Sequence, residues 1–185
     1  GEERRLHVVR EFAKAGLHGR YRFWPAVSAH DDASLAKELG KSRCPCDSQS
    51  ALALSHRRIY EQIVAQRWPC ATIFEDDVSL ARNFTRRLEA AAPSFPPFDT
   101  LQLGYCKRGK KETHGPEDQS SVPILTYGWP GACLHAAVIS LQGASYLAKA
   151  NTPIRTHADG AMDPKHQGNE TRAYLDRSPG SVPGS

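Results

Sequence analysis

The sequence predicts an α/β domain with a mostly parallel sheet flanked by helices, and one stretch carries most of that prediction. From Ala51 to Arg67, apolar residues recur at helical spacing until Trp68-Pro69, where proline ends the pattern. Cys70–Phe74 is a short apolar run of strand length, typical of a sheet covered on both faces. Three acids follow directly. Because open α/β sheets bind ligands beyond the carboxyl ends of their strands, the acids stand where a site is expected.

Those acids, Glu75, Asp76 and Asp77, repel one another unless something positive is bound between them. Side chains alternate along a strand, so Glu75 and Asp77 are expected to converge while Asp76 points away. Carboxylate oxygens suit Mg²⁺ or Mn²⁺, usually shared with substrate phosphates. The other interpretation is a solvated acidic turn that caps the next helix, and the three residues alone leave both open.

Length and charge exclude several classes of protein. The 185 residues suit one domain, predicted at 1–164, and 165–185 lose apolar residues and predict a disordered tail or linker. The net charge of +4 is mild, and no basic stripe interleaves with aromatic residues, which argues against nucleic-acid binding. No apolar run has membrane-spanning length. Cys70 and Cys133 fall in predicted buried strands, where cysteine behaves as a small apolar residue.

The remaining elements are predicted from hydrophobic periodicity and from residues that typically begin or end helices and strands. Before the central stretch, the chain predicts a helix over Glu2–Gly16, a strand over Arg20–Val27 and a short helix over Asp32–Leu39. After the acids, Ser79 is expected to cap a helix that carries Leu80, Phe84 and Leu88 on one face. The predicted elements beyond it are a strand at Thr100–Gly104, a loop at Cys106–Ser121, a strand at Ala132–Ile139 and a helix at Leu141–Ala150.

Several motifs resemble glycosyltransferase family 25, which includes bacterial lipooligosaccharide galactosyltransferases and collagen galactosyltransferases. ALSH at Ala53–His56 precedes FEDDV at Phe74–Val78, and YRFWPAVSAHD at Tyr21–Asp31 lies upstream. Downstream, Thr100–Gly104 and the segment Leu134–Ser140, followed by Gly143-Ala144, are similar to two further family segments. The resemblance runs in order from Arg4 to about Asp163.

The resemblance implies a GT-A-like fold and transfer of a sugar, galactose above all, from a UDP-linked donor with Mn²⁺ or Mg²⁺. The acceptor would be a hydroxyl of a glycan, a lipooligosaccharide or a hydroxylated protein. The residues to which it assigns roles are, for the metal, Glu75, Asp77 and His135; for the donor, Ser55, His56, Asp76, Gly104 and Trp129; and for catalysis, Asp159, with Asp163 as the second match. For His56, His135 and Trp129, a purely structural role is an equally good interpretation.

The sequence also departs from the family, which keeps rival functions open. Members usually open with an apolar strand before an Arg-rich helix, and this chain begins at what resembles that helix. Ala51-Leu52 replaces a Gly-Cys pair, and Ala137 replaces a tyrosine. The missing strand indicates either that the sequence is truncated at its N-terminus or that the domain is degenerate, and the departures together favour a catalytically inactive binding domain of the same fold as the main rival. A metal-dependent phosphoester hydrolase that uses the same acids is a third hypothesis. It is less favoured, because two-metal sites need several dispersed carboxylate or histidine ligands and the sequence shows one acidic cluster. The compartment would be cytoplasmic for a bacterial-type member and the ER or Golgi lumen for a eukaryotic-type one.

Overall fold

A computed structural model describes residues 1–30, 35, 37–39, 48–95, 98–103 and 134–160. The helices in these residues are α1 (Glu2–Lys14), α2 (Ser48–Ala65), α3 (Phe84–Ala91) and α4 (Leu141–Ala150), with a 3₁₀ turn at Ala92–Ser94. The strands are β1 (Cys70–Phe74), β2 (Thr100–Gln102) and β3 (Ala136–Ser140). Within the described residues, no helix is long and apolar enough to cross a membrane.

The three described strands form one sheet in the order β1-β3-β2, and both strand pairs are antiparallel. The expectation of a mostly parallel sheet is therefore wrong for these strands, although the mixed helix and strand class holds. β1 and β2 both run opposite to β3, so they run in the same direction as each other, as two strands joined through a helix should. The later strand β3 lies between them and reverses each pairing.

Helices cover both faces of this sheet. On one face, Ile73 and Ile139 pack with Tyr60 and Ile63 of α2 and Leu147 of α4, all of them buried. On the other face, Phe12 of α1 meets Phe74 edge-on with ring centroids 4.9 Å apart. Burying each such side chain contributes about 1.5–3 kcal/mol. The two apolar faces hold the sheet between α1 on one side and α2 with α4 on the other.

Several predicted boundaries need correction. Arg20–Val27 forms no strand, and Val27 is instead tied to α2, since its N–H donates to the Ser55 hydroxyl at 2.9 Å. Ser79 does not cap α3, which begins at Phe84 after Asn83. β3 begins at Ala136, later than predicted.

Cys70 was also predicted to be buried, but it is exposed because β1 lies at the edge of the described sheet. The predicted loop at Cys106–Ser121, Cys133 and the tail lie outside the described residues, as does most of Asp32–Leu39. Helices over α1, α2 and α4 and strands at β1 and β2 are confirmed within a few residues at their ends.

Ser55 gives a direct test of how the Tyr21–Val27 segment is held on α2. Its buried hydroxyl accepts from Val27 N–H and donates to the Ala51 carbonyl at 2.7 Å. We expect Ser55→Ala to lower the free energy of unfolding by about 1–3 kcal/mol, because the buried Val27 N–H loses its partner. Urea denaturation of the variant measures this.

The matched control is Ser79→Ala, since Ser79 is exposed. Its free energy of unfolding should stay within about 0.5 kcal/mol of the parent. Equal stability of the two variants would contradict the structural role of the Ser55 hydroxyl.

Candidate functional site

The acidic cluster lies at the carboxyl end of β1, where the strand ladder stops. Glu75 N–H donates to the His135 carbonyl at 2.9 Å, one residue pair beyond the end of the β1–β3 ladder. The chain then turns at once, since Val78 N–H reaches the Glu75 carbonyl at 3.4 Å. Asp76 and Asp77 therefore occupy a turn beyond the sheet, with Glu75 still anchored to β3.

Glu75 sits in an environment that disfavours its ionised form. Burial is the main cause that raises the pKa of its carboxyl, and the charge of Asp77 raises it further. His135 lowers it, whereas Asp76 and Asp159 raise it by smaller amounts. The charges of these side chains therefore act on the Glu75 carboxyl. Five predicted site residues are therefore electrostatically connected, namely Glu75, Asp76, Asp77, His135 and Asp159.

The turn after Glu75 is held from outside by α1. Arg4 Nη1 lies 3.1 Å from Asp76 Oδ1 in an exposed ion pair. His7 Nε2 donates to the Val78 carbonyl at 2.9 Å, and the Leu80 N–H donates to Glu11 at 2.9 Å. Lys14 and then the Leu80 N–H hold the pKa of Glu11 below its usual value. Asp76 therefore faces α1 with much of its surface in solvent, while Glu75 is the more enclosed acid.

Asp159 approaches the cluster from the segment after α4. Its Oδ1 accepts from Gly160 N–H at 2.9 Å and lies 3.0 Å from His157 Nε2. These two contacts fix the orientation of a half-buried carboxylate. Sequence reasoning did not select His157, and the only available signal was its position two residues before Asp159.

Ser55 and His56 lie on the buried face of α2. The Ser55 hydroxyl is engaged by backbone groups on both sides, so it serves the fold. His56 is also buried, 3.4 Å from the Tyr60 hydroxyl, and burial lowers the pKa of its imidazole to about 4. His56 is therefore neutral at pH 7. A role for either residue in donor binding stays a prediction.

A cleft of about 1340 Å³ opens beside β1, and Glu75, Asp76 and Asp77 line part of it. Its other walls are α1, the Tyr21–Ala29 segment, α2 and α3. Arg22 lies against two aromatic rings there, 5.2 Å from the centroid of Trp24 and 4.6 Å from that of Trp68. Sequence reasoning noted the aromatic residues of this segment but not its arginine.

A divalent cation is compatible with this donor set. In the part of the chain that the structure describes, no three His, Cys, Asp or Glu side chains are already placed as a ligand set. Mg²⁺ and similar cations commonly need only one or two carboxylates, with substrate phosphates and water completing the shell. Glu75 and Asp77 meet that requirement, and a cation between them would relieve the repulsion that raises the Glu75 pKa.

The metal role of His135, the donor role of Asp76 and the catalytic role of Asp159 stay predictions. Three further predicted site residues lie outside the described residues, namely Gly104, Trp129 and Asp163.

Comparison with known proteins gives one match. The family described as glycosyltransferase family 25 (LPS biosynthesis protein) matches residues 1–162. A search of curated proteins finds nothing that matches the chain. The matched span contains β1, the acidic turn, His135 and Asp159, so it covers every described part of the candidate site. The family resemblance drawn from the sequence motifs is confirmed.

The buried imidazole of His56 predicts a pH dependence of stability. Its pKa is lowered to about 4 by burial, whereas an unfolded histidine titrates near 6.5. The unfolded state therefore binds a proton first as the pH falls, so stability should fall between pH 6.5 and 4, by about 3 kcal/mol in all. His56→Gln should remove this part of the pH dependence, as measured by urea denaturation across that range.

His18→Gln is the matched control, since His18 is an exposed turn residue. It should keep the parent slope of stability against pH. An unchanged slope in His56→Gln would show that His56 does not carry the effect.

Proposed function

The chain belongs to glycosyltransferase family 25, and from that membership and the acidic site we propose that it transfers galactose from UDP-galactose to an acceptor hydroxyl. Membership itself implies a sugar donor and a glycan acceptor. The galactosyl group, the UDP carrier and a lipooligosaccharide, glycan or hydroxylated-protein acceptor are parts of the proposal. So are a GT-A-like arrangement around the described sheet and dependence on Mn²⁺ or Mg²⁺.

One observation carries the proposal, namely the half-buried carboxylate of Glu75 next to the exposed carboxylate of Asp77 at the end of β1. The pKa of Glu75 is raised by burial and then by Asp77, so both charges are costly together in the free protein. Such a pair favours a bound divalent cation. A cation held there would supply positive charge beside the diphosphate of the donor.

The roles of the protein groups follow from their positions. Glu75, anchored by its backbone bond to His135, and Asp77, on the turn, would hold the cation and thereby the diphosphate. Asp159 would take the proton of the acceptor hydroxyl as general base in an inverting displacement. His157 and the Gly160 N–H already fix the direction of that carboxylate.

The cleft beside β1 supports binding of an anionic donor. The three acids line it beside an aromatic and basic wall that includes Arg22, Trp24 and Trp68. Aromatic faces suit the apolar faces of sugar rings, and guanidinium groups suit phosphates. These properties favour an anionic sugar nucleotide over an uncharged ligand.

Asp77→Asn tests the proposal because it removes one charge without changing side-chain shape. We expect kcat/KM for acceptor-dependent release of UDP from UDP-galactose to fall by about a hundredfold or more, a loss on the order of 3 kcal/mol. Melting temperature without metal should stay the same or rise slightly, because a charge that repels Glu75 is gone.

Glu3→Gln is the control for net charge, since Glu3 is exposed on α1 and does not line the cleft, and it should retain parent activity. Metal-dependent transfer by Asp77→Asn at the parent rate would refute the assigned role. Release of UDP that no acceptor increases would instead identify a hydrolase.

A further inference from the structure

The turn after Glu75 takes its polar support from two side chains of α1. Its own backbone bond, from Val78 N–H to the Glu75 carbonyl, is 3.4 Å long, which is beyond the usual range for such bonds. Beyond that bond, His7 Nε2 donates to the Val78 carbonyl and Glu11 accepts from the Leu80 N–H, both at 2.9 Å. These two contacts fall one and three residues after the last acid.

Apolar packing places α1 against the same turn. Val8 and Phe12 of α1 form a cluster with Val78, which is buried, and Phe74 packs against that cluster. Phe74 and Val78 lie directly before and directly after the three acids. The two polar residues of α1 are one helical turn apart, so they project from the same side of the helix. The helix therefore fixes the backbone on both sides of the acids.

Glu11 is charged at a buried position of α1. Its carboxylate is held by Lys14 and by the Leu80 N–H. An ion pair that is largely removed from water adds little net stability, because the desolvation cost offsets the attraction between the charges. A leucine there would instead join the apolar cluster. The distinctive contribution of the carboxylate is thus a directed bond that sets where Leu80 lies.

The third contact of α1 with the turn is of a different kind. The ion pair between Arg4 and Asp76 leaves 65% of one side chain and 52% of the other exposed. Exposed pairs of this type contribute at most about 1 kcal/mol and rearrange readily. The position of the turn therefore depends on His7 and Glu11 more than on Arg4.

We propose that His7 and Glu11 are positioning residues for the cation site, in that they hold the Asp77 carboxylate where it and Glu75 can share one Mn²⁺. This inference rests on the cation site of the proposed function. Neither side chain lines the cleft, so both act through the turn and not by touching the donor. Without them, repulsion between the two carboxylates would move the turn outward. Cation binding would then have to restore it, which lowers the apparent affinity.

The test is titration of the whole metal-free chain with Mn²⁺, in which electron paramagnetic resonance measures the free ion. His7→Leu removes the donor to the Val78 carbonyl, and Glu11→Leu removes the acceptor of the Leu80 N–H. Each should raise the Kd for Mn²⁺ about five- to tenfold, the effect of losing one hydrogen bond that favours the binding-competent turn.

His7→Gln and Glu11→Gln are the conservative variants, since the first keeps an N–H donor and the second keeps an acceptor oxygen. Each should bind Mn²⁺ within about twofold of the parent Kd. Glutamine and leucine are both uncharged, so a difference within either pair of variants reports the hydrogen bond and not the charge. Where Glu11→Leu does not fold, the His7 pair makes the same comparison.

Asn151→Ala controls for a general loss of stability. The buried Asn151 side chain donates to the Leu147 carbonyl at 2.7 Å at the end of α4. Its removal should lower the melting temperature and leave the Kd for Mn²⁺ unchanged.

Amide hydrogen exchange of the metal-free chain gives a second readout, which involves neither metal nor sugar. In Glu11→Leu, the Leu80 amide loses its acceptor and should exchange about tenfold faster than in the parent. The Glu75 amide, which donates to the His135 carbonyl, should keep its rate.

The outcomes separate this inference from the proposed function. If the parent binds Mn²⁺ and each leucine variant binds as tightly as its glutamine counterpart, the positioning role is refuted and the cation site stands. A rise in Kd of the same size in Asn151→Ala would also refute it, since the effect would then be one of general stability. Failure of the parent to bind Mn²⁺ would contradict the cation site itself, and this inference with it.

Discussion

The pairing of β1 with β3 is the interaction on which the candidate site depends. The backbone bond one residue pair beyond this ladder, from Glu75 to His135, sets the position of the first acid and places a histidine from a distant part of the chain beside it. The register is well defined because Ile73 and Ile139 are buried against α2 and α4. A slip of one residue would turn those side chains to the opposite face and displace the acids with them.

Support for the acidic turn comes from a second layer. α1 reaches this turn with an ion pair at Asp76, a histidine bond to Val78 and a carboxylate that accepts from the Leu80 N–H. The turn therefore begins on a strand and is held by a helix at several successive residues. Such support limits how far Glu75 and Asp77 can separate, and that limit is what a cation shared with a diphosphate needs.

Local patterns in the sequence predicted the parts of the fold that depend on near neighbours. The helical period before Trp68-Pro69 and the apolar run of β1 define α2, β1 and the acids after them. The direction of strand pairing could not be predicted in this way, because β3 enters between β1 and β2 from a distant part of the chain. The side chains of the Tyr21–Val27 segment alternate as in a strand, but the segment pairs with no strand in the described residues. Its Val27 N–H instead donates to the Ser55 hydroxyl of α2.

The candidate site likewise contains residues that local sequence patterns predicted and contacts that they could not predict. Glu75 and Asp77 were predictable because they follow a strand directly, and a motif match selected His135 and Asp159. The contacts of Asp159 with His157 and of Arg22 with two tryptophans depend on how distant or irregular segments fold back, which periodicity does not report.

The central claim is that the acids at the end of β1 form a donor site that requires a divalent cation. Isothermal titration of UDP-galactose into the purified chain, with and without Mn²⁺, tests it most directly. We predict saturable binding at one site in the presence of Mn²⁺ and none without it. Absence of binding to the folded chain with Mn²⁺ present, or equal affinity without it, would contradict the account.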